Sequence, residues 1–299
     1  EVSALDALDN ADVDISAAAI TVTDAVSKAN ADTLNGFTGG LVTLKSVQDT
    51  NANVVLIDGM TDSEVLMNTA VVTVTDAVTK AQAVTLNGFT NAKVTLNSVE
   101  DNYANIQLIK DIGNTAVDMD AAAIKVTDDV NKTKVDDLRT DTTGDITLTS
   151  ITEDKTDLAT INGFTDVILS TANITVSDDV SRGEANTINA YNNVSGTVTL
   201  TSITDNFTNV VAAQGTAGIA MTAATIETDN TEAVTKANVD TLNGFTGGVV
   251  TVKSVRDKRA NVEAIDAIDD GEVLMNTAIV SVTDAVSKAN ADSLNLLTS

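Results

Sequence analysis

The segment Val42-Thr43-Leu44-Lys45-Ser46-Val47-Gln48-Asp49 returns, with conservative changes, at residues 94, 146, 198 and 250. The period is 52 residues, without slippage. A fixed period of this length constrains a fold more than any composition does, because each repeat must bury its apolar face against its neighbours. A second segment, Ile20-Thr21-Val22-Thr23-Asp24-Ala25-Val26-Ser27-Lys28, recurs between copies of the first, and its acid stands at Asp24, Asp76, Asp128, Asp178, Glu232 and Asp284. Each period therefore holds two related halves.

The alternation in Ile20–Thr23 is the period-two signature of a strand with one buried face. Asp24 to Leu34, rich in Ala and followed by Asn35-Gly36, reads as a short helix with a Gly stop. In the second half, Val42-Thr43-Leu44 reads as a strand and Ser46 to Ile57 as a helix. First-half strands fall near 20, 72, 124, 174, 226 and 280, and second-half strands near 42, 94, 146, 198 and 250. Strand–helix units with short connections place their strands parallel, and the crossover is right-handed. The expected fold is an α/β right-handed parallel solenoid of strand–helix coils, a single uncapped array over residues 1–299. A parallel β-helix is the alternative, since the helical stretches are short and rich in Asn, Asp and Thr.

Four columns carry the candidate functional residues, each with a structural role. The first-half acids, Asp24 to Asp284, precede a base by four residues: Lys28, Lys80, Lys132, Arg182, Lys236 and Lys288. Acid before base at i,i+4 suits a helix, with Thr23 as cap. In the second half, Ser46, Ser98, Ser150, Ser202 and Ser254 each stand three residues before an acid, the form of a capping box. Asn53, Asn105, Asn209 and Asn261, with Asp157 in the remaining place, read as rungs bonding coils above and below. Asn35, Asn87, Asn189, Asn243 and Asn295 form a further column that Arg139 breaks.

The 299-residue chain has no Cys, no His and no Pro. That removes disulfides, thiolate chemistry and the commonest general base and metal ligand. With 43 acidic against 17 basic residues the formal charge is −26, which opposes nucleic acid and anionic membranes. No apolar run approaches the ~20 residues of a membrane span. Aromatics make up only 2%, which suits thin repeated layers better than a deep enzyme pocket. No cofactor is expected. The first residue is Glu, and the ends cut across repeats, so the reading is a processed chain or a window of a longer one, with further repeats or other copies as end-to-end partners.

The Val-Thr-Val-Thr-Asp-Ala at 72–77 and the Ser-Ile-Thr-Asp at 202–205 resemble the long tandem-repeat, adhesin-like surface proteins of marine cyanobacteria and other aquatic bacteria. The resemblance implies an extracellular or cell-surface structural or adhesive role, in a fibre, filament or layer, and supplies no catalytic residues.

Two other readings stand beside it. Outward threonines (Thr21, Thr43, Thr73, Thr95, Thr147, Thr175, Thr199, Thr251, with Thr23, Thr75, Thr127, Thr149 and Thr201 alongside) would line up as an ice-binding solenoid does, and calcium could sit in the loops at Asp12–Asp14, Asp118–Asp120 or Asp269–Glu272. A polysaccharide-degrading β-helix would need a cluster that breaks the repeat, and only Lys132–Arg139 offers one.

Overall fold

The computed structural model describes residues 4, 14–61, 63–193, 195–269 and 271–297. The expected start of the chain inside a second-half helix, and the loop residues Asp12, Val13 and Asp270, lie outside them. Contacts group the chain into two compact units, one running to Asp128 and including 133–148, the other made of 129–132 and the chain from Thr149 onward.

Both units are α/β, built from parallel strands that alternate with helices, so the parallel solenoid is the fold of each. In the first, Ile20–Val26, Val42–Asp49, Val71–Val78, Val94–Asp101 and Ala123–Val130 lie side by side in chain order. In the second, Asn173–Val180 pairs with residues 150–153 on one side and Val198–Asp205 on the other, and Thr225–Thr228, Val250–Thr251 and Val273–Leu274 follow. A helix of eight to ten residues succeeds each long strand, as Lys80–Phe89 and Tyr103–Lys110 do. Among the described residues, no helix is long and apolar enough to cross a membrane.

The strands are longer than the alternating segments suggest, and the helices start later. Val42–Asp49 takes in Ser46 and Asp49, and its helix is Asn51–Asp58. Ile20–Val26 takes in Thr23 and Asp24, and its helix is Lys28–Phe37. The reason is pairing. Ser46–Asp49 lies in register with Val71–Val74, and the hydrogen bonds of that ladder outweigh a local cap.

First-half strands also carry a bulge. Val22 faces Leu44 and Ala25 faces Ser46, so Thr23-Asp24 together oppose Lys45. The same two-against-one step occurs at Thr75-Asp76 and at Ser177-Asp178. A bulge re-aims the side chain it carries, and here that side chain is the acid of the first-half column.

Inward positions are filled by aliphatic residues in thin layers. Val72, Val74, Ala83, Leu86, Val94, Val99, Ile106 and Ile109 are fully buried. Burying each Val, Leu or Ile contributes roughly 1.5–3 kcal/mol. The turn after a first-half helix is tied to the turn before its strand in several repeats: the Thr38, Thr90 and Thr142 hydroxyls donate to the carbonyls of Ala18, Ala70 and Ala122 at 2.6 Å, and the Asn192 amide donates to Ala172 at 3.2 Å. Each same hydroxyl accepts an N–H two residues on, from Gly40, Ala92 and Gly144. A Cβ built on Gly40 or Gly144 would stand 2.4 or 2.3 Å from the same carbonyls, while the second repeat accommodates Ala92 at this place.

Candidate functional site: a carboxylate ladder between coils

An α-helix leaves its first backbone N–H groups without internal partners. Most helices of this chain carry a side-chain cap one residue before their start, whereas Lys258, before Arg259–Asp266, makes no such bond. Ser27, Thr79, Ser181, Thr235 and Ser287 serve the first-half helices, and Thr50, Asn102, Asp154 and Asn206 the second-half ones. Each side chain accepts the N–H three residues on. Thr79 with Gln82 and Ser181 with Glu184 are complete capping boxes.

The N–H at the very start of the helix is taken by the next coil. Second-half acids accept from first-half helices: Lys28 to Asp49, Lys80 to Asp101, Lys132 to Glu153, Arg182 to Asp205 and Lys236 to Asp257. First-half acids accept from second-half helices: Asn51 to Asp76, Tyr103 to Asp128, Lys155 to Asp178 and Arg259 to Asp284. Glu232 follows with a shift of one residue, accepting from Thr208. The donor–acceptor distances span 2.6–3.1 Å and the sequence separations 21–25 residues. A carboxylate at a helix N-terminus also meets the positive end of the helix dipole.

The second-half acids are held by more than one donor. Asp49 accepts from the Thr50 N–H and the Asn53 side chain, both at 2.8 Å. Asn105, Asn209 and Asn261 make the same bond to Asp101, Asp205 and Asp257. Burial works to raise the Asp49 and Asp101 pKa values, but these bonds together hold both carboxyls below the usual range. Asp257 is lowered first by the Lys236 N–H. In the third place of this column Asp157 cannot donate as Asn does, and its carboxylate lies within 4.8 Å of those of Glu153 and Asp154. Glu153 accepts from Lys132 and Asp154, and Asp154 from Thr156 and Asp157, so both serve helix starts.

Three sequence expectations are corrected. Ser46 and its equivalents Ser98, Ser150, Ser202 and Ser254 lie in strands and cap no helix, because the acid three residues on closes the helix of the preceding coil. Asp24 and Lys28 are not a helical pair, since only Lys28 is in the helix. Lys28 meets Asp32 at 2.6 Å, and Lys236–Asp240 and Lys288–Asp292 repeat this base-before-acid spacing. Asn53, Asn105, Asn209 and Asn261 grip the acid of their own coil, and of these Asn209 also accepts directly from the Arg182 guanidinium of the preceding coil at 3.3 Å. In the other Asn column, Asn189 is buried and donates to the Ala217 carbonyl at 3.0 Å.

The outward threonines form pairs and triplets, not rows. Thr21 faces Thr43, but Thr43 faces Leu66 on its other side. Thr73 and Thr95 are flanked by Gln48 and Asp118. Thr175 lies between Thr152 and Thr199, and Ala220 ends that run. Strand pairing is staggered along the stack, and a stagger interrupts every column. At the loop 118–120, Asp118 is ion-paired with Lys93 and Asp120 accepts from Asn114.

The coil at Lys132–Arg139 breaks the repeat and builds a polar seam with the preceding helix. The Tyr103 hydroxyl donates to Asp137 at 2.9 Å, and Lys134 lies 5.3 Å from the centre of the Tyr103 ring. Asp141, in the place of Phe37 and Phe89, has a fully buried side chain that receives Lys110 and the Gln107 amide. Burial, then the Asp137 bond and the charges of Asp137 and Asp141, push the Tyr103 phenol up to about 12.

Compared with known proteins, the chain matches no family model, no curated protein and no solved structure. The caps and the Phe-Thr hydroxyls were the groups that motif reading missed. Their signal is the recurrence of a hydroxyl at 38, 90, 142 and 246, and of a cap just before each Lys or Arg that opens a first-half helix.

Proposed function

We propose that this chain is a non-enzymatic structural or adhesive repeat scaffold, part of an extracellular or surface fibre, filament or layer. The observation that supports this reading is where the recurring polar groups point. The acids accept from the helix of the preceding coil and the turn hydroxyls tie one turn to another, so this repeated chemistry serves cohesion of the stack. In a repeat protein, stability is approximately a sum of coil and nearest-neighbour terms, and a lengthwise scaffold needs just such terms. The dispersed charge of −26 keeps a long repetitive chain soluble and resists side-to-side aggregation.

The test is a series of chains shortened or lengthened by whole 52-residue repeats. Small-angle scattering is expected to give a maximum dimension that grows by a constant increment per repeat. Growth with the cube root of chain length, as for a compact globule, would overturn the reading.

A further inference from the structure

The helices Lys155–Asn162 and Arg182–Tyr191 leave an open groove of about 480 Å³ between them, within the roughly 300–1,000 Å³ of small-ligand sites. Lys155 and Ala159 line it from one helix, and Gly183, Glu184, Ile188 and Tyr191 from the other. The same pair of helices one repeat earlier, Tyr103–Lys110 and Lys132–Asp141, is bridged by the chain's own side chains. There the Tyr103 hydroxyl reaches Asp137 and the Gln107 amide reaches Asp141.

In repeat order Lys155 takes the place of Tyr103 and Ala159 that of Gln107, so neither bridge forms here. Lys155 turns instead to Glu184 at 3.1 Å and to the Asp179 carbonyl at 2.9 Å. The other repeats place Val55, Gln107, Val211 and Glu263 where Ala159 stands, and Ala29, Ala81, Thr133, Ala237 and Ala289 where Gly183 stands. Both walls are therefore cut back at one groove. Packing does not require the glycine: among the described residues a Cβ on Gly183 would meet only the Ser181 hydroxyl, at 3.9 Å, and glycine is disfavoured inside a helix.

What lines the groove selects its occupant. The half-buried Tyr191 ring and Ile188 give it an apolar floor. The Tyr191 hydroxyl and that of the exposed Thr156 donate to no group among the described residues. An ammonium has three N–H donors and a carboxylate about four acceptor positions, so Lys155 and Glu184 each keep bonding capacity beyond their present partners. Their pairing offsets the local charge, so a cation finds no free carboxylate, and an anion meets the chain's charge of −26. A wholly apolar ring would leave the polar rim without partners. An uncharged ring with one apolar face and several hydroxyls satisfies floor and rim together.

We propose that this groove binds a neutral saccharide, with a pyranose ring against Tyr191 and its hydroxyls on Lys155, Glu184 and Thr156. The site rests on the adhesive side of the scaffold reading and gives it a ligand class. It sets one coil apart in a chain whose other recurring polar groups hold the stack together.

The test titrates the full chain with cello-, manno- and galacto-oligosaccharides, an oligogalacturonate and phenol, followed by amide NMR. At millimolar concentration one of the three neutral saccharides is expected to shift Gly183, Thr187 and Tyr191, while the uronate and phenol leave them in place. Tyr191→Ala is expected to weaken that binding by about tenfold or more. Ala159→Gln with Gly183→Thr installs the residues of the preceding repeat, Gln107 and Thr133, and is expected to abolish the shifts at an unchanged melting temperature. This closed variant decides the matter if Tyr191→Ala fails to fold. No shift with any neutral saccharide, or shifts that persist in the closed variant, overturns the site. Shifts with phenol or the uronate alone overturn the saccharide. None of these results alters how maximum dimension grows with repeat number, so the scaffold reading stands or falls separately.

Discussion

The Asp101 carboxylate accepts the Lys80 backbone N–H at 2.9 Å, joining the end of one coil's strand to the start of the preceding coil's helix. The Asn102 N–H and the Asn105 side chain bond its other oxygen at 2.8 Å. One carboxylate thus closes two helix starts, its own and its neighbour's.

Removing that group has a cost that an adjacent acid does not. Asp101→Ala orphans donors in two coils and is expected to cost about 1–3 kcal/mol, in the range of a lost cap plus an unmade hydrogen bond. Glu100→Ala, one residue earlier, removes an exposed pair with Lys125 and is expected to change stability by no more than about 0.5 kcal/mol. Urea unfolding of the two variants checks the contrast.

Acid should loosen the stack through these same groups. The Asp49, Asp101 and Asp257 pKa values are lowered in the folded chain. A carboxylate lowered on folding contributes stability above its unfolded pKa, about 3.9, and loses it as pH falls through the folded value. The urea midpoint is expected to hold steady from about pH 7 to 5 and to fall below about pH 4. Relief of self-repulsion in a chain of charge −26 acts with the opposite sign. A midpoint that rises on acidification below pH 4 would show that repulsion wins over the ladder.

The polar seam at the irregular coil has a spectroscopic signature. In a Tyr191→Phe background, absorbance titration is expected to place the Tyr103 ionisation at about 12. Asp137→Asn removes the accepting charge and should bring that value down.

The buried acid of this seam offers a second check. Lys110→Met leaves the fully buried Asp141 side chain with the Gln107 amide as its main partner and is expected to destabilise by about 1–3 kcal/mol. Asp141→Phe restores the residue found at Phe37 and Phe89 and is expected to be near neutral or stabilising, as replacing a buried ion pair with apolar groups often is. Thermal melts of both variants distinguish the two.

The parallel strand–helix architecture was legible in the sequence because its causes are local and periodic. Val72 and Val74 alternate with Thr, Asn35-Gly36 closes a helix, and the 52-residue spacing sets the stack. The helix starts were not legible. Ser46-x-x-Asp49 satisfies every local rule for a capping box, yet Ser46–Asp49 pairs with Val71–Val74 in the next coil and stays extended. Asp24 before Lys28 looks like a helical pair because the bulge that holds Asp24 in the strand arises from pairing with Val42–Val47, 22 residues away or fewer. The acids were correctly singled out as columns, but their donors lie 21–25 residues back, beyond the reach of any short motif. The threonine rows failed for the same reason, since register between coils decides which outward residues are neighbours.

Amide hydrogen exchange in Asp101→Ala tests most directly whether each coil closes the one before it. The account predicts that the Lys80 N–H, in the preceding coil, loses protection along with Asn102, while the inward core at Val72 and Val94 stays slow. Faster exchange confined to residues 101–105, with Lys80 unchanged, would contradict it.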